Sequence, residues 1–269
     1  MDFAVRLRFP GKRLRSRTSS QRLPQGVRKM SSPVLTRPSF VPFSIDDLES
    51  CYRRRLPHWR QSGATYWVTT RLTDAVPENV LKQWNGERRN WLAARGLHVS
   101  GRSDNLQDLV RQLSPADRVI YRRHFEGRME KYLDTGHGAC YLAQEGCVQI
   151  VRDLLLREDG ATCHVGDFVI MPNHVHLLVV PMPGHELEDI LRLWKGASAH
   201  DCNQLLGRRG AFWRKESFDH IVRSLDHLLA YRKYTRDNPK KAGITISPLA
   251  YYRASWMDAW FSGYNGATL

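Results

Sequence analysis

The chain has 269 residues, of which 42% are hydrophobic and 25% are charged. This composition is globular and excludes a chain that is disordered or collagen-like throughout. No apolar run approaches the roughly 20 residues of a membrane span, which excludes an integral membrane protein. Lysine and arginine total 41 against 27 acidic residues, a net charge of +14. A positive field of this size favours a polyanionic partner such as nucleic acid.

Residues 1–44 carry much of this charge, with ten basic residues, one acidic residue and five prolines. We therefore predict a disordered basic arm over residues 1–43 and a folded domain over residues 44–269. Three interpretations of the arm stay open: a tail that follows DNA, an inert extension upstream of a true start at Met30, or an arginine-rich transit peptide. It lacks the apolar core of a secretory signal, so we expect the domain to work in a reducing compartment.

The first elements after the arm are predicted from short patterns. Ser44 and Asp47 have the spacing of a capping box and predict a helix that Pro57 closes. Residues 65–72 are rich in aromatic and β-branched side chains, which predicts a strand. A long polar helix is predicted from Pro77 to Gly96. Residues 97–133 are expected to form one or two helices, followed by a loop at residues 134–138.

The second half of the chain has longer patterns. Residues 145–156 predict a helix with one apolar side. Two apolar, β-rich runs, residues 167–171 and 174–180, are joined by Pro172 and Asn173 and predict adjacent strands. Further helices are predicted at residues 187–206 and 225–238, the last of them ended by Pro239 and Gly243.

His174 and His176 lie in the second of these strands. Because side chains alternate with a period of two, both imidazoles project from one face and can chelate a metal ion. The alternative is a pair of histidines on a half-exposed sheet face. The apolar residues 177–180 that follow weigh against it, because two polar rings in an apolar strand are costly unless they are satisfied. Tyr234 and Asn238, four residues apart, share a helix face, so a phenol and an amide oxygen can face the same centre. Tyr231 lies on much the same face and is the rival tyrosine.

Three blocks of sequence, in order along the chain, carry a family resemblance. They are MPNHVHLL around the histidine pair, FWRKESFDHIVR at residues 212–223 and YTRDNPKKAG at residues 234–243. Together they resemble the HUH-type tyrosine transposases that are associated with repetitive extragenic palindromes, over about residues 44–250. The resemblance implies an α+β domain with an antiparallel, ferredoxin-like or palm-type sheet and flanking helices. It also implies a cytoplasmic, nucleoid-associated bacterial enzyme.

The resemblance implies a role for each matching residue. Tyr234 matches the catalytic nucleophile, and His174, His176 and Asn238 match the residues that bind a divalent metal. The implied reaction is cleavage and joining of single-stranded hairpin DNA through a covalent 5′-phosphotyrosine. Imidazole and amide ligands suit Mn²⁺, and the phosphate oxygens of a substrate admit Mg²⁺. Two other functions stay open: hairpin binding without cleavage, and metal-dependent hydrolysis in which water replaces the tyrosine.

Proteins bind single-stranded DNA by stacking aromatic side chains on bases and placing basic side chains along the backbone. We predict such contacts for a set of aromatic and basic residues: Arg208, Arg209, Phe212, Trp213, Arg214, Lys215, Lys240 and Lys241. The alternative is that the aromatic rings belong to the core and the charges form a solvated rim. The sequence leaves open whether the protein acts as a monomer or as a homodimer that donates the tyrosine in trans.

Overall fold

The computed structural model describes residues 35–53, 57–98, 106–125 and 127–264. Residues 1–34, which make up most of the predicted basic arm, lie outside the described residues. The fold described below is that of the unit Thr36–Leu269. In the described ranges, no helix is both long enough and apolar enough to cross a membrane.

The first two strands form an antiparallel hairpin, β1 (Leu48–Arg53) and β2 (Pro57–Gln61), where the sequence predicted a helix. The helix prediction is wrong, and the backbone N–H of Ser44, which would bond to the side chain of Asp47 in a capping box, has another partner. The backbone N–H of Ser44 donates to Oε1 of Gln61 at 3.0 Å. Helical spacing over so short a segment is weak, and cross-strand pairing, with Cys51 opposite Trp59, overrides it.

Residues 37–43 pack on the folded unit, although the arm was predicted to reach residue 43. Arg37 forms a two-point ion pair with Asp159, at 2.6 and 2.8 Å. The indole N–H of Trp260 donates to the carbonyl oxygen of Pro38 at 2.7 Å. The folded part therefore begins earlier than predicted. The residues that bind Arg37 and Pro38 are 122 and 222 positions away in sequence.

A five-stranded antiparallel sheet lies at the centre of the unit, in the order β6-β3-β5-β4-β7. Its strands are β3 (Tyr66–Arg71), β4 (Cys163–Met171), β5 (His174–Pro181), β6 (Phe218–Ile221) and β7 (Tyr251–Tyr252). Helices connect β3 to β4 and β5 to β6, which gives the βαββαβ arrangement of a ferredoxin-like fold with β7 added at one edge. The predicted α+β class with an antiparallel sheet is confirmed.

The helices largely follow the predictions. They are α1 (Glu78–Ala93), α2 (Leu106–Gln112), α3 (Pro115–Phe125), α4 (Arg128–Asp134), α5 (Glu145–Arg157), α6 (Leu187–Leu205) and α7 (Leu225–Lys241). In the described part of the region between α1 and residue 134, three short helices are present where one or two were predicted. Helix α7 continues through Pro239 to Lys241, so the prediction that Pro239 ends it is wrong; the proline lies in the last turn, where it removes the hydrogen bond to the carbonyl of Thr235. Gly243, with a φ of 67°, follows its end.

Helices cover both faces of the sheet. Helices α5 and α6 pack on one face, in a core that includes Val68 and Leu177. Helix α7 packs on the opposite face, where Leu228 joins Trp67 and Leu178. Successive side chains of a strand enter the two cores in turn, because neighbouring side chains point to opposite faces of the sheet.

The α7 face carries the predicted metal ligands. In the pairing of β3 with β5, Thr69 lies opposite His176 and Arg71 lies opposite His174. Residues directly opposite each other in an antiparallel pair share a face. These four side chains therefore lie on the side of the sheet that α7 covers.

Candidate active site

His174 and His176 are fully buried at the start of β5. Their Nε2 atoms lie 3.1 Å apart. Each ring is held through its other nitrogen: Nδ1 of His174 contacts Oδ1 of Asn173 at 2.7 Å, and Nδ1 of His176 contacts the hydroxyl of Thr69 at 2.9 Å. Both Nε2 atoms therefore face one point, in agreement with the period-two spacing.

Asn173 fixes the orientation of His174. Its Nδ2 donates to the carbonyl oxygens of Leu133 (3.2 Å) and His137 (2.9 Å). Since the NH₂ group is used in this way, its Oδ1 accepts from Nδ1–H of His174, and Nε2 of that ring keeps a free lone pair. Burial lowers the pKa of His174 to about 3, so the ring is neutral at pH 7. The sequence analysis gave Asn173 only the role of a turn residue.

Tyr234 lies beside the histidine pair, on α7. Its ring meets that of His176 edge to face, with centroids 5.2 Å apart. Its buried hydroxyl has no hydrogen-bond partner among the described residues. Burial raises the pKa of this phenol, the carboxylates of Asp134 and Glu130 raise it further, and the nearby side chain of Asn238 lowers it. The ammonium group of Lys241 lies 4.9 Å from the centre of the ring.

The rival, Tyr231, reaches the site through Trp67. The ring of Tyr231 stacks on the indole of Trp67, with centroids 4.6 Å apart and 16° between the planes. The same indole stacks on His176, at 4.8 Å and 11°. Of the two tyrosines, Tyr234 is thus the one whose ring contacts a histidine of the pair directly.

Asn238 and Asp134 complete the group of polar side chains. Asn238 is fully buried, and its Nδ2 donates to Oδ1 of Asp134 at 3.3 Å. Oδ1 of Asn238 has no hydrogen-bond partner in the described ranges. The carboxylate oxygen of Asp134 also lies 4.0 Å from Nε2 of His174. The sequence analysis placed Asp134 in a loop and gave it no role in the site.

Two glycines shape the loop that follows Asp134. Gly136 and Gly138 have φ angles of 71° and 92°. A Cβ on Gly138 would lie 2.9 Å from the carbonyl oxygen of Asp74, so a larger residue would displace the loop. The side chain of Asp74 also accepts from the backbone N–H of Ala139 at 2.8 Å. These contacts fix the chain on the C-terminal side of Asp134.

These residues fit a divalent cation. Two ligands at adjacent corners of an octahedron with bonds of about 2.1 Å lie about 3.0 Å apart. The two Nε2 atoms are 3.1 Å apart. The amide oxygen of Asn238 is a further candidate ligand, and it has no hydrogen-bond partner among the described residues. Within those residues, His, Cys, Asp and Glu side chains alone form no cluster of three suited to a metal. A site of two imidazoles and one amide leaves positions open for substrate oxygens.

Arg71 adds a positive charge on the same face. It lies directly across from His174, and its buried Nη1 has no hydrogen-bond partner among the described residues. Burial and the nearby charge of Arg214 lower the pKa of Arg71 to about 10. A guanidinium with an unsatisfied donor is suited to receive an anion. The sequence analysis missed Arg71 because nothing local distinguishes it from other arginines.

The two aromatic residues predicted to stack on DNA bases lie in the core. Phe212 and Trp213 are only 2% and 6% exposed. The indole N–H of Trp213 donates to the hydroxyl of Ser198 at 2.8 Å, and its ring packs on Trp194 of α6. The prediction of base stacking is wrong for both residues, because Trp213 packs on α6 and the ring of Phe212 lies against those of Trp213 and Tyr141.

The predicted basic residues are partly engaged within the protein. Arg208 donates to Oδ1 of Asn203 at 2.9 Å, and Arg214 pairs with Glu78 at 3.0 Å. The ammonium group of Lys195 donates to the carbonyl oxygens of residues 214 and 215, at 2.6 and 2.9 Å, and so holds this loop. The predicted cations that remain exposed are Arg209, Lys215, Lys240 and Lys241.

Comparisons with known proteins bear on the segment that holds these residues. Residues 146–238 match the family model described as "Transposase IS200 like". One similar solved structure is described as "Structure of the REP associates tyrosine transposase bound to a REP hairpin". It has 12% identity and a TM-score of 0.34, and the match covers 76% of this chain and 92% of that chain. No curated protein sequence matches the chain. The segment matched by the family model contains His174, His176, Tyr234 and Asn238, and it confirms the resemblance to the tyrosine transposases.

Proposed function

We propose that the protein cleaves and rejoins single-stranded hairpin DNA, with Tyr234 as the nucleophile. The observation that carries this proposal is the position of Tyr234. Its unpartnered hydroxyl belongs to a ring in contact with His176, and Asn238 follows one turn later on the same helix. The match of this segment to IS200-like transposases supports a role in DNA transposition.

His174, His176 and Asn238 would hold a divalent cation, Mg²⁺ or Mn²⁺. When bound, such a cation supplies Lewis-acid chemistry by polarising the scissile phosphate and orienting it for in-line attack. The protein's part is to keep the ligands in place. Asn173 and Thr69 hold the two imidazoles through Nδ1, so that both Nε2 atoms keep their direction.

The phenolic oxygen of Tyr234 attacks the phosphorus, and the bond between phosphorus and the 3′ oxygen breaks. The phenol loses its proton, and the leaving oxygen takes one and departs as a 3′-hydroxyl. The product is a 5′-phosphotyrosine, which another 3′-hydroxyl can attack to rejoin the strand. Because burial raises the pKa of Tyr234, phenolate is scarce at pH 7 and the attack needs nearby positive charge. Lys241, against the Tyr234 ring, supplies part of that charge.

Arginine and lysine side chains hold the DNA backbone. Arg71, with its unpartnered Nη1 on the face of the histidine pair, binds a phosphate next to the scissile bond. The exposed side chains of Arg209, Lys215, Lys240 and Lys241 contact phosphates further along the strand. The net charge of +14 favours this association.

The test uses the full-length protein with labelled single-stranded hairpin DNA from repeats that flank its own gene, with Mn²⁺ or Mg²⁺. A denaturing gel is expected to show a covalent protein–DNA band that is lost in Tyr234→Phe and in EDTA. Tyr231→Phe is the matched control and keeps the band. Duplex DNA of the same sequence is expected to give no band.

Two other results would contradict the proposal. Cleavage without a covalent band would identify a metal-dependent hydrolase in which water attacks. Tight hairpin binding with neither cleavage nor a band would identify a protein that holds hairpins without cutting them.

A further inference from the structure

The pair formed by Asp134 and Asn238 determines where the amide oxygen of Asn238 points. Nδ2 of Asn238 donates to Oδ1 of Asp134 at 3.3 Å. An ionised carboxylate can only accept hydrogen bonds, so it selects the NH₂ end of the amide and turns the oxygen away. That oxygen is buried and has no hydrogen-bond partner among the described residues.

The backbone around Asp134 is held by Asn173, the residue that also holds the ring of His174. Asn173 donates to the carbonyl oxygens of Leu133 and His137, on either side of Asp134, and it accepts from the ring of His174. The carboxylate is thereby held 4.0 Å from Nε2 of His174, with 21% of its side chain exposed. A negative charge at this distance acts on a cation with little screening by salt.

We propose that Asp134 is a positioning residue of the cation site. It orients the amide oxygen of Asn238 towards the histidine pair and adds negative charge beside it. The inference rests on the proposed function, because it requires Asn238 to bind the cation.

The test is the affinity for Mn²⁺, measured by isothermal titration calorimetry on the full-length protein without DNA. Asp134→Ala is expected to weaken binding about 10- to 100-fold, the range seen when a group that orients a metal ligand is removed. Glu130→Gln is the matched control, because it removes one acidic charge from the same helix one turn earlier, and it leaves the affinity near that of the wild type. Thermal unfolding in EDTA checks that each variant is folded, and Asp134→Leu, which also lacks an acceptor for Nδ2 of Asn238, replaces Asp134→Ala if the latter does not fold.

A double-mutant cycle separates orientation from a general structural effect. In Asn238→Asp either oxygen can face the cation, so the orientation of the side chain no longer matters. Asp134→Ala is therefore expected to weaken Mn²⁺ binding in the wild-type background and to weaken it less in the Asn238→Asp background, where only the loss of its negative charge remains. An equal loss in both backgrounds, or wild-type affinity in Asp134→Ala, would overturn the inference.

The same series distinguishes this inference from the proposed function. If the wild type binds Mn²⁺ and forms the covalent adduct while Asp134→Ala binds Mn²⁺ equally well, only the role of Asp134 fails. If the wild type neither binds Mn²⁺ nor forms the adduct, the proposed function fails, and the inference fails with it.

Discussion

Replacing Asn173 by alanine tests whether this side chain holds the site together. The variant removes two hydrogen bonds to backbone carbonyls and one to Nδ1 of His174, all at a residue that is fully buried. A buried polar group that loses its partner costs about 1–3 kcal/mol, and water that enters the space left by the amide offsets part of this. We therefore expect the free energy of unfolding to fall by about 3 kcal/mol. For a unit of this size, that corresponds to a melting temperature lower by about 6–12 °C.

The assay is urea unfolding in EDTA, followed by tryptophan fluorescence. Asn203→Ala is the matched control, because Asn203 also bridges two groups, Arg208 and the carbonyl of Gly210, but is only partly buried. We expect the control to lose about 1 kcal/mol. A loss for Asn173→Ala that does not exceed the loss for Asn203→Ala would refute the reasoning.

Three further predictions concern pH, phosphate binding and the buried aromatic residues. In metal-free protein, His174 alone should lower the free energy of unfolding by about 2 kcal/mol between pH 6.5 and pH 5. The cause is that the unfolded chain takes up a proton that the folded ring, with a pKa of about 3, does not. Urea unfolding across this range should show the slope, and His174→Gln should reduce it. Arg71→Gln is expected to weaken hairpin binding about tenfold and to reduce the slope of log affinity against log salt by about 1, measured by fluorescence anisotropy. An unchanged slope would exclude the phosphate contact. Trp213→Leu should destabilise the fold by about 2 kcal/mol and leave hairpin affinity unchanged. Lys215→Gln should weaken hairpin binding and leave the stability of the fold unchanged.

The parts of the site that the sequence predicted depend on local geometry. The shared face of His174 and His176 follows from the alternation of side chains along a strand. The shared face of Tyr234 and Asn238 follows from their spacing of four residues on a helix. Both rules operate within one element, so the fold of the rest of the chain does not alter them.

The residues that the sequence analysis missed depend on contacts between distant segments. Asp134 and Asn173 come together because the loop after α4 docks on the turn between β4 and β5. Arg71 gains its position from the pairing of β3 with β5. No spacing rule connects these segments, so their roles become visible only in the folded protein.

The wrong predictions have a related cause. A short helical pattern at the start of the domain gave way to a hairpin, because strand pairing depends on residues outside the pattern. The alternation of aromatic and basic residues around Phe212 and Trp213 is equally consistent with a stacking surface and with a core bordered by charges. The burial of both rings decides between these alternatives, and burial is a property of the tertiary structure.

The most direct measurement identifies the residue that carries the DNA. Trypsin cleaves after Arg223, Arg232, Lys233 and Arg236, so it releases Tyr231 in the peptide SLDHLLAYR and Tyr234 in the peptide YTR. After incubation with hairpin DNA and Mn²⁺, the protein is digested with nuclease and trypsin and analysed by mass spectrometry. The nucleotide that remains attached through its 5′ phosphate should be found on YTR. A phosphonucleotide on SLDHLLAYR, or cleaved DNA with neither peptide modified, would contradict the assignment of Tyr234 as the nucleophile.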